Sequence, residues 1–296
     1  MLKPTANIKK LLYIFFTGLV TILIMLSGTS LLLSRNLFVF DIFSHFQLQY
    51  MLALLLISPA VYLLGDRKIA ILSIAYVIII STVFIIPIQT TGITNFQADI
   101  YYMNLNFRNE NLEPIVEEIK NSRPQIVAIV ESNIAIEQKL SQLYGPPIVS
   151  ISEEGQSCSI FSQTAPKEVL AIKELEYPLC YARFESFDII TMHPYPPLSD
   201  IQFAKQKIFF KQVSDLYDSK AAGNRPVILV GDFNSTYYSG LYRRYFGRFG
   251  KVNYYSWMNR TLVSLPIDHA LANVPIKVNL APKLTSDHSG LYIQLP

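Results

Sequence analysis

The chain has 296 residues, of which 51% are hydrophobic, and its mean hydropathy is +0.29, which is too apolar for an ordinary soluble domain. The charge is unevenly spread: six Lys or Arg and two Asp precede residue 91, which leaves 19 basic and 20 acidic residues of the 25 and 22 in the chain. This nearly neutral remainder lacks the overall positive field that attracts long nucleic acids.

Three apolar stretches precede residue 90, at about 11–34, 46–64 and 69–88. Each is close to the roughly 20 apolar residues that cross a hydrocarbon core. A cleaved signal peptide is the alternative for the first stretch, which is longer than the ~7–15 apolar residues usual in such a peptide. We therefore predict a membrane anchor over 1–90 with three transmembrane helices, followed by a linker over 91–97.

The basic residues of the anchor predict its orientation. Lys9 and Lys10 precede the first stretch, and Arg67 and Lys68 lie between the second and the third. Because positive residues favour the cytoplasmic side, the amino terminus and this turn should be cytoplasmic. Three crossings would then place everything beyond Ile88 outside the cytoplasm.

Residues 98–296 have the length of a single domain. Apolar runs predict strands over 100–105, 125–130, 227–230 and 290–295, with several short strands between 158 and 192. Helical spacing predicts a helix from Leu112, with Asn111 as a candidate cap, and another over 200–217 opened by Ser199. Strand, helix and strand, followed by a β-rich middle, indicate an α/β sandwich.

Cys158 and Cys180 both belong to this domain. An extracytoplasmic location permits a disulfide between them. Two separate buried thiols are the alternative. Two cysteines 22 positions apart have no zinc-site spacing.

Polar residues collect at the ends of the predicted strands: Asn104, Glu131, His193, Asp232, Asn234, Asp268, Asp287 and His288. Hydrolysis of a phosphate ester requires a cation for the phosphoryl oxygens, a carboxylate that orients or deprotonates water, and donors for the developing charge. Mg²⁺ prefers oxygen ligands and keeps several waters. Glu131 and Asp287, with Asn104, are our candidate metal ligands, and Mn²⁺ is an alternative cation.

The remaining polar residues receive catalytic roles. Asp232 is the candidate base that activates water, and Asn234 would fix phosphate or water through its amide. His193 and His288 would donate to the phosphoryl oxygens, and one of them would assist the leaving group. Asp268 would orient the His288 ring.

These residues occur in a recognisable order of short motifs: Asn104, Val130-Glu131, His193-Pro194, Gly231-Asp232-Phe233-Asn234, Ile267-Asp268 and Ser286-Asp287-His288. The order resembles the endonuclease/exonuclease/phosphatase superfamily, which has a deoxyribonuclease-I-like fold. The resemblance covers about 100–295 and departs at Val130, where the family usually has Gln. It implies a four-layer α/β sandwich of two mixed β-sheets flanked by helices, with a magnesium-dependent phosphodiesterase site at one edge.

The apolar anchor and the segment from His193 to Pro197 resemble a membrane-tethered bacterial branch of this superfamily. That branch implies a multi-pass protein of the bacterial inner membrane, whose catalytic domain is extracytoplasmic.

Basic and aromatic residues alternate over Tyr242–Phe249, and Arg243 and Arg244 are candidate substrate-binding residues. The segment can contact nucleic acid by stacking and charge, or lipid head groups. The third interpretation is an amphipathic helix with buried aromatic rings.

Three nearby residues receive no site role from the sequence. Asn106 is interpreted as a turn residue, His269 as a strand residue facing away from the site, and Trp257 has no distinguishing pattern around it.

The sequence therefore predicts a membrane-anchored, magnesium-dependent hydrolase with a nuclease-like site, for which nucleic acid is the favoured substrate. A phospholipid or a small phosphate ester is the alternative substrate. A non-catalytic membrane receptor on the same scaffold is the alternative of a different class.

Overall fold

The computed structural model describes residues 6–84, 98–153, 156–174, 177–249, 254–258 and 261–296. The chain forms two compact units. The first unit is Met1–Ile86 together with Tyr238–Arg244, and the second is Pro87–Tyr237 together with Tyr245–Pro296. The predicted linker 91–97 lies outside the described residues.

The first unit is helical: α1 (Ala6–Leu33), α2 (Phe38–Ser44), α3 (Gln47–Leu63) and α4 (Arg67–Phe84). Within the described residues, one helix is long and apolar enough by itself to cross a membrane, over Asn7–Leu33. The prediction of three separate spans is not supported. The second apolar stretch, 46–64, coincides with α3, which a bend of 60° separates from α2. The 17 residues of α3 extend only about 25 Å, and residues 85–88 of the third stretch are outside the described part.

Polar side chains join the helices of this unit. Gln47 on α3 lies 2.5 Å from the Ser27 hydroxyl of α1 and donates to the Ser30 hydroxyl over 3.0 Å. Tyr76 on α4 donates to the same Ser27 oxygen over 2.7 Å. In a lipid environment the hydrophobic effect does not drive apolar helices together, and hydrogen bonds of this kind contribute to their association.

The second unit contains, among the described residues, the β-strands, three complete α-helices and the end of a fourth. In chain order its elements are β1 (Ile100–Asn104), α5 (Glu113–Ser122), β2 (Ile126–Val130), α6 (Ile134–Tyr144), β3 (Val149–Glu153), β4 (Gln156–Ser162), β5 (Glu168–Glu174), β6 (Tyr177–Arg183), β7 (Asp188–Met192), α7 (Asp200–Ala221), β8 (Val227–Asp232), α8 (Gly240–Phe246), β9 (Asp268–Ala272), β10 (Lys277–Leu280) and β11 (Leu291–Gln294). The helix α8 begins in the segment that clusters with the first unit.

The strands form two mixed sheets. One has the order β10-β11-β1-β2-β4-β3, and the other has the order β5-β6-β7-β8-β9. Each sheet contains a single parallel pair among the described strands, β1 with β2 and β7 with β8. Because both parallel pairs are buried on both faces, their sequences are nearly continuous apolar runs.

The sheets pack face to face around one apolar core, to which both contribute, for example through Tyr102 and Val130 on one side and Ile189 and Val230 on the other. The outer face of the six-stranded sheet is covered by α5 and α6, whose Ile115 and Leu140 are fully buried. The helix α7 buries aromatic residues against the five-stranded sheet, and its Tyr217 hydroxyl donates to the Val227 carbonyl. Two mixed sheets flanked by helices agree with the predicted sandwich.

Helix ends follow local chemistry at most predicted positions. The Ser199 hydroxyl caps α7 by accepting from the Gln202 amide, as predicted. Arg123 ends α5 in the left-handed region before Pro124, with φ 47°. The predicted cap at Asn111 is wrong, because Leu112 occupies the cap position and no side chain bonds there. The helix α6 was not predicted.

A disulfide joins Cys158 on β4 to Cys180 on β6. The bond therefore connects the two sheets through their shared core, where both residues are completely buried. Of the two possibilities that the sequence left open, the structure has the disulfide.

Replacing both Cys158 and Cys180 by Ala should lower the free energy of unfolding by about 3 kcal/mol, because the unfolded chain regains the entropy of a closed loop of this length. Denaturant unfolding of oxidised protein, reduced protein and the double variant measures this difference. The reduced protein and the double variant should agree with each other. Two titratable thiols in denatured, unreduced protein would show that the bond does not form.

Candidate active site

The carboxyl ends of the two parallel strand pairs hold most of the predicted site residues. Asn104 is the last residue of β1 and Glu131 follows β2, while His193 follows β7 and Asp232 ends β8. Parallel neighbours end at the same edge of a sheet, so each pair delivers its polar residues together. The packing of the two sheets brings the two pairs to one site.

The Asn104 carboxamide links the two central carboxylates. Its Nδ2 donates to Glu131 Oε1 and to Asp232 Oδ2, each over 2.9 Å, and its Oδ1 accepts from the Asn106 amide. Both N–H groups and the oxygen of this buried carboxamide are engaged in hydrogen bonds, so its orientation is fixed. Asn104 therefore holds a residue of each sheet in register with the other.

Glu131 and His193 meet above this amide. His193 Nε2 lies 3.3 Å from Glu131 Oε1 and 3.7 Å from Asp232 Oδ2. The second oxygen of Glu131 accepts from the Phe107 amide. With 18% of its side chain exposed, Glu131 is the open side of an otherwise buried group.

Asp232 is oriented by its own turn. Its Oδ1 accepts from the Asn234 amide over 2.7 Å, and the Asn234 carboxamide donates to the Pro194 carbonyl over 2.8 Å. Gly231 is required just before it, because a Cβ there would lie 2.2 Å from the Met192 carbonyl oxygen on the paired strand. The Gly-Asp-Phe-Asn motif thus combines a close strand contact with a fixed turn.

Asp268 and His288 form a buried pair next to Asp232. His288 Nδ1 lies 2.7 Å from Asp268 Oδ2, and His288 Nε2 lies 3.7 Å from Asp232 Oδ2. The Tyr102 hydroxyl donates to Asp268 Oδ1 over 2.9 Å, and the Ser256 hydroxyl donates to Oδ2. With three donors around it, Asp268 can direct the His288 ring toward Asp232.

The protonation equilibria follow from burial and from these neighbours. Burial, with a smaller contribution from the charge of Asp268, raises the pKa of Asp232 to about 8. Burial lowers the pKa of His193. Burial alone would lower the pKa of His288, but the Asp268 carboxylate overcomes this and raises it to about 9. Burial opposes ionisation of Asp268, yet His288 lowers its pKa overall, so Asp268 is the ionised partner.

Two groups of side chains in the described part of the chain can hold a cation: Glu131 with His193 and Asp232, and Asp232 with Asp268 and His288. Their candidate ligand atoms lie within 4.8 Å of one another. The raised pKa of Asp232 shows that its negative charge is poorly compensated by the protein, and a divalent cation would favour the ionised form. The residues therefore fit a hard cation.

Asp287 lies in neither group. Its Oδ1 accepts from the Asn106 carboxamide over 3.0 Å and its Oδ2 accepts from the Trp257 indole over 3.1 Å. Oδ1 also accepts from the Ser286 hydroxyl over 3.5 Å, so Oδ2 is the oxygen that retains a lone pair for a metal. Coordination by Asp287 stays a prediction.

The predicted substrate residues Arg243 and Arg244 lie on α8. Both belong to the segment that clusters with the first helices. Arg243 donates to the Leu31 carbonyl over 3.0 Å and to the Ser239 carbonyl over 3.3 Å. Their contact with substrate stays a prediction.

His269 is buried on β9, bonds the Ser235 carbonyl and packs against the Phe233 ring. Burial lowers its pKa to about 4. This histidine therefore has a structural role in the five-stranded sheet.

Four residues that contact the site were missed: Tyr102, Asn106, Ser256 and Trp257. Alternation along β1 was a usable signal for Tyr102, because residues two apart share a face and Asn104 was already placed. The other three lie in irregular segments, and no periodicity indicated their contacts with Asp268 and Asp287.

A sequence model of the Endonuclease/Exonuclease/phosphatase family matches residues 102–288, which is more than half of the chain. The chain belongs to this family. The match begins at Tyr102, beside Asn104, and ends at His288, so it spans every site residue described above. No curated protein sequence matches the chain.

Solved structures show the fold of the family in the second unit. An AP endonuclease from Archaeoglobus fulgidus aligns with a TM-score of 0.53 and 14% identity, over 66% of this chain and 98% of that one. The 3′ phosphatase NExo from Neisseria, bound to a product DNA hairpin, aligns with a TM-score of 0.53 and 15% identity, over 67% and 99%. A humanized TDP2 of D. rerio aligns with a TM-score of 0.51 and 17% identity, over 66% and 96%. At these identities the likeness concerns the fold.

Proposed function

We propose that this chain is a metal-dependent hydrolase of phosphate esters. The observation that carries the proposal is the Asn104 amide, whose Nδ2 donates to the Glu131 carboxylate and to the Asp232 carboxylate, over 2.9 Å in each case. The two carboxylates are thereby held side by side. Two imidazoles, of His193 and His288, lie 3.7 Å from the same Asp232 oxygen. Hard oxygen ligands and imidazole donors thus share one partly open site.

Mg²⁺ is the proposed cation, with Mn²⁺ as its alternative. Glu131 and Asp232 would hold it with His193, and Asp287 is the further ligand that the sequence predicted. Asn104, the other predicted ligand, turns its NH₂ group to these carboxylates and would orient them instead of coordinating. When bound, the ion would neutralise phosphoryl oxygens. Magnesium suits this donor set because it prefers oxygen and needs few protein ligands.

The protein residues would divide the remaining chemistry. Asp232 would orient a water and accept its proton, since its ionised form is favoured beside a cation. His288, held by Asp268, would donate a proton or hydrogen bond to a phosphoryl oxygen. Asn234 would add a neutral donor, and His193, whose pKa burial lowers, would act as a neutral imidazole beside Glu131.

Nucleic acid is the proposed substrate class. Two structural neighbours hold DNA by their descriptions: NExo with a product DNA hairpin, and D. rerio TDP2 with a single-strand DNA product. The near-neutral charge of residues 91–296 does not favour long duplexes. Short or single strands therefore suit this site better than long DNA.

The test is hydrolysis by the full chain in detergent, with Mg²⁺ and with a chelator, on DNA, RNA, phospholipids and bis(p-nitrophenyl) phosphate. We expect cation-dependent release of product from at least one phosphate ester. Selective cleavage of phospholipid would replace nucleic acid by the alternative substrate. A lack of turnover on the whole panel, with cation present, would favour the non-catalytic receptor.

We also propose that the first unit anchors the enzyme in a bacterial inner membrane with the catalytic unit outside the cytoplasm. The apolar helix over Asn7–Leu33 supports the anchor. Lys9 and Lys10, which precede this helix's apolar stretch, support a cytoplasmic amino terminus, and one crossing by this helix would place the catalytic unit outside the cytoplasm. A carboxy-terminal reporter active only in the cytoplasm should be silent, and an active one would reverse the topology.

A further inference from the structure

The carboxylate of Asp287 is held on both of its oxygens by side chains of distant segments. Asn106 Nδ2 donates to Oδ1 over 3.0 Å, and Trp257 Nε1 donates to Oδ2 over 3.1 Å. The Asn106 amide cannot turn its oxygen toward Asp287 without losing a bond, because Oδ1 accepts from the Arg108 amide. The carboxylate plane is thereby fixed by two donors.

The indole is itself fixed by backbone pairing around the same aspartate. The Met258 amide donates to the Asp287 carbonyl over 2.8 Å, and the Ser289 amide donates to the Ser256 carbonyl over 2.9 Å. Trp257 also pairs with Leu265 as an isolated antiparallel bridge. Residues Ser256–Met258 therefore pair with Asp287–Ser289 as a short antiparallel ladder. The Trp257 ring reaches the carboxylate from this paired backbone.

An indole is well suited to this position. Its N–H is a donor only, so it cannot compete with Asp287 as a ligand for a hard cation. Its rigid side chain loses little rotamer freedom on ordering. Oδ1 accepts from Asn106 and, over 3.5 Å, from the Ser286 hydroxyl, whereas Oδ2 accepts from Trp257 and keeps a lone pair with which the held carboxylate can coordinate.

We propose that Trp257 is a positioning residue that orients the Asp287 carboxylate toward the cation of the proposed hydrolase, and this inference rests on the proposed function for the identity of that cation. Trp257 acts through Asp287 and not on substrate. Without the indole N–H, only the donors to Oδ1 would hold the Asp287 carboxylate, and Oδ2 would lose the bond that fixes its direction toward the cation. Partners that orient metal ligands typically contribute about tenfold to a hundredfold in metal affinity or activity.

The first measurement uses the fact that Trp257 is the only tryptophan of the chain. Indole emission of the full chain in detergent should change saturably as Mg²⁺ is added, and Asp287→Ala should abolish the saturable change. The exposed carboxylate Asp215, which pairs with Lys211, supplies the matched control Asp215→Asn, which should respond like the native chain. An emission that ignores Mg²⁺ although calorimetry detects binding would overturn the proposal.

The second measurement is Mg²⁺ affinity by calorimetry for Trp257→Phe, which keeps an aromatic ring and removes the N–H. We expect affinity to fall about tenfold to a hundredfold. Turnover should recover at saturating Mg²⁺, so that the loss lies in the cation requirement. Unchanged affinity in a folded variant would overturn the role of Trp257.

The two hypotheses fail in different ways. If the full chain hydrolyses phosphate esters but neither cation measurement depends on Trp257 and Asp287, the proposed function stands and the positioning role is wrong. If both cation measurements succeed but no substrate is turned over, the positioning role stands and the hydrolase assignment is wrong.

Discussion

Asp232→Asn should lower phosphate-ester hydrolysis by at least about a thousandfold, which corresponds to about 4 kcal/mol of lost transition-state stabilisation. The amide keeps the shape of the carboxylate but cannot accept a proton from water. The substitution also removes a negative charge that both candidate cation groups share, because Asp232 belongs to each of them. Steady-state kcat and KM at saturating Mg²⁺ measure the effect, which should appear mainly in kcat.

The same substitution should stabilise the metal-free fold. Burial raises the pKa of Asp232 to about 8 from a usual value of 3.8, so the folded protein binds a proton there that the unfolded chain releases. Ionised Asp232 therefore destabilises the fold, by an amount that grows as the pH rises from about 4 to about 8. Asp232→Asn removes this penalty, so its Tm without cation should exceed that of the native chain most clearly near pH 8.

This combination separates a chemical role from a structural one. A variant that loses activity because it is misfolded would have a lower Tm, whereas a catalytic carboxylate costs stability in the free enzyme. Asp215→Asn is the control, because Asp215 is 63% exposed and pairs with Lys211 on the same helix. Native-like turnover by Asp232→Asn would show that Asp232 has no catalytic role.

The extent to which the site was predictable reflects how locally each part is encoded. Gly231, Asp232 and Asn234 lie in four consecutive residues after an apolar strand, and their mutual hydrogen bonds and turn are set within that motif. Asn104 and Glu131 end neighbouring parallel strands, so the sheet places them together. Strand ends were visible in the sequence, and so were the residues on them.

The parts that escaped prediction depend on packing between distant segments. Tyr102 reaches Asp268 only because the two sheets face each other, across 166 positions of sequence. Asn106 was correctly expected in a turn, with φ 57°, but the turn also directs its amide to Asp287. Trp257 reaches Asp287 through a ladder of irregular segments, which has no periodicity that a sequence could display.

The anchor shows the opposite limitation. Its composition indicated apolar stretches of sufficient length, but composition does not report where a helix bends. The predicted second span, 46–64, is α3 with only 17 residues, and a 60° bend at His45 and Phe46 separates it from α2. Apolar composition therefore predicted three spans, whereas one helix of the described residues is long and apolar enough by itself to cross a membrane.

Asp268→Asn should lower kcat by roughly a hundredfold to ten-thousandfold, although Asp268 need not touch the substrate. Asp268 Oδ2 lies 2.7 Å from His288 Nδ1, and a carboxylate there requires Nδ1 to carry the proton. An amide can present its NH₂ group to Nδ1 instead, which would favour the other tautomer. His288 would then face Asp232 and the substrate with the wrong proton arrangement.

A double-mutant cycle with His288→Gln tests whether Asp268 acts only through that ring. If it does, the double variant should have the kcat of His288→Gln alone, because the carboxylate then has no imidazole to orient. Losses that multiply would show that Asp268 contributes independently, for instance as a second ligand in the group with Asp232 and His288. The Tyr102 and Ser256 hydroxyls bond Asp268 in either case, so Tyr102→Phe should reproduce a smaller part of the loss, about tenfold for one hydrogen bond to a charged group. That smaller effect should disappear in the His288→Gln background, because a donor that acts on Asp268 can affect catalysis only while Asp268 has a histidine to hold.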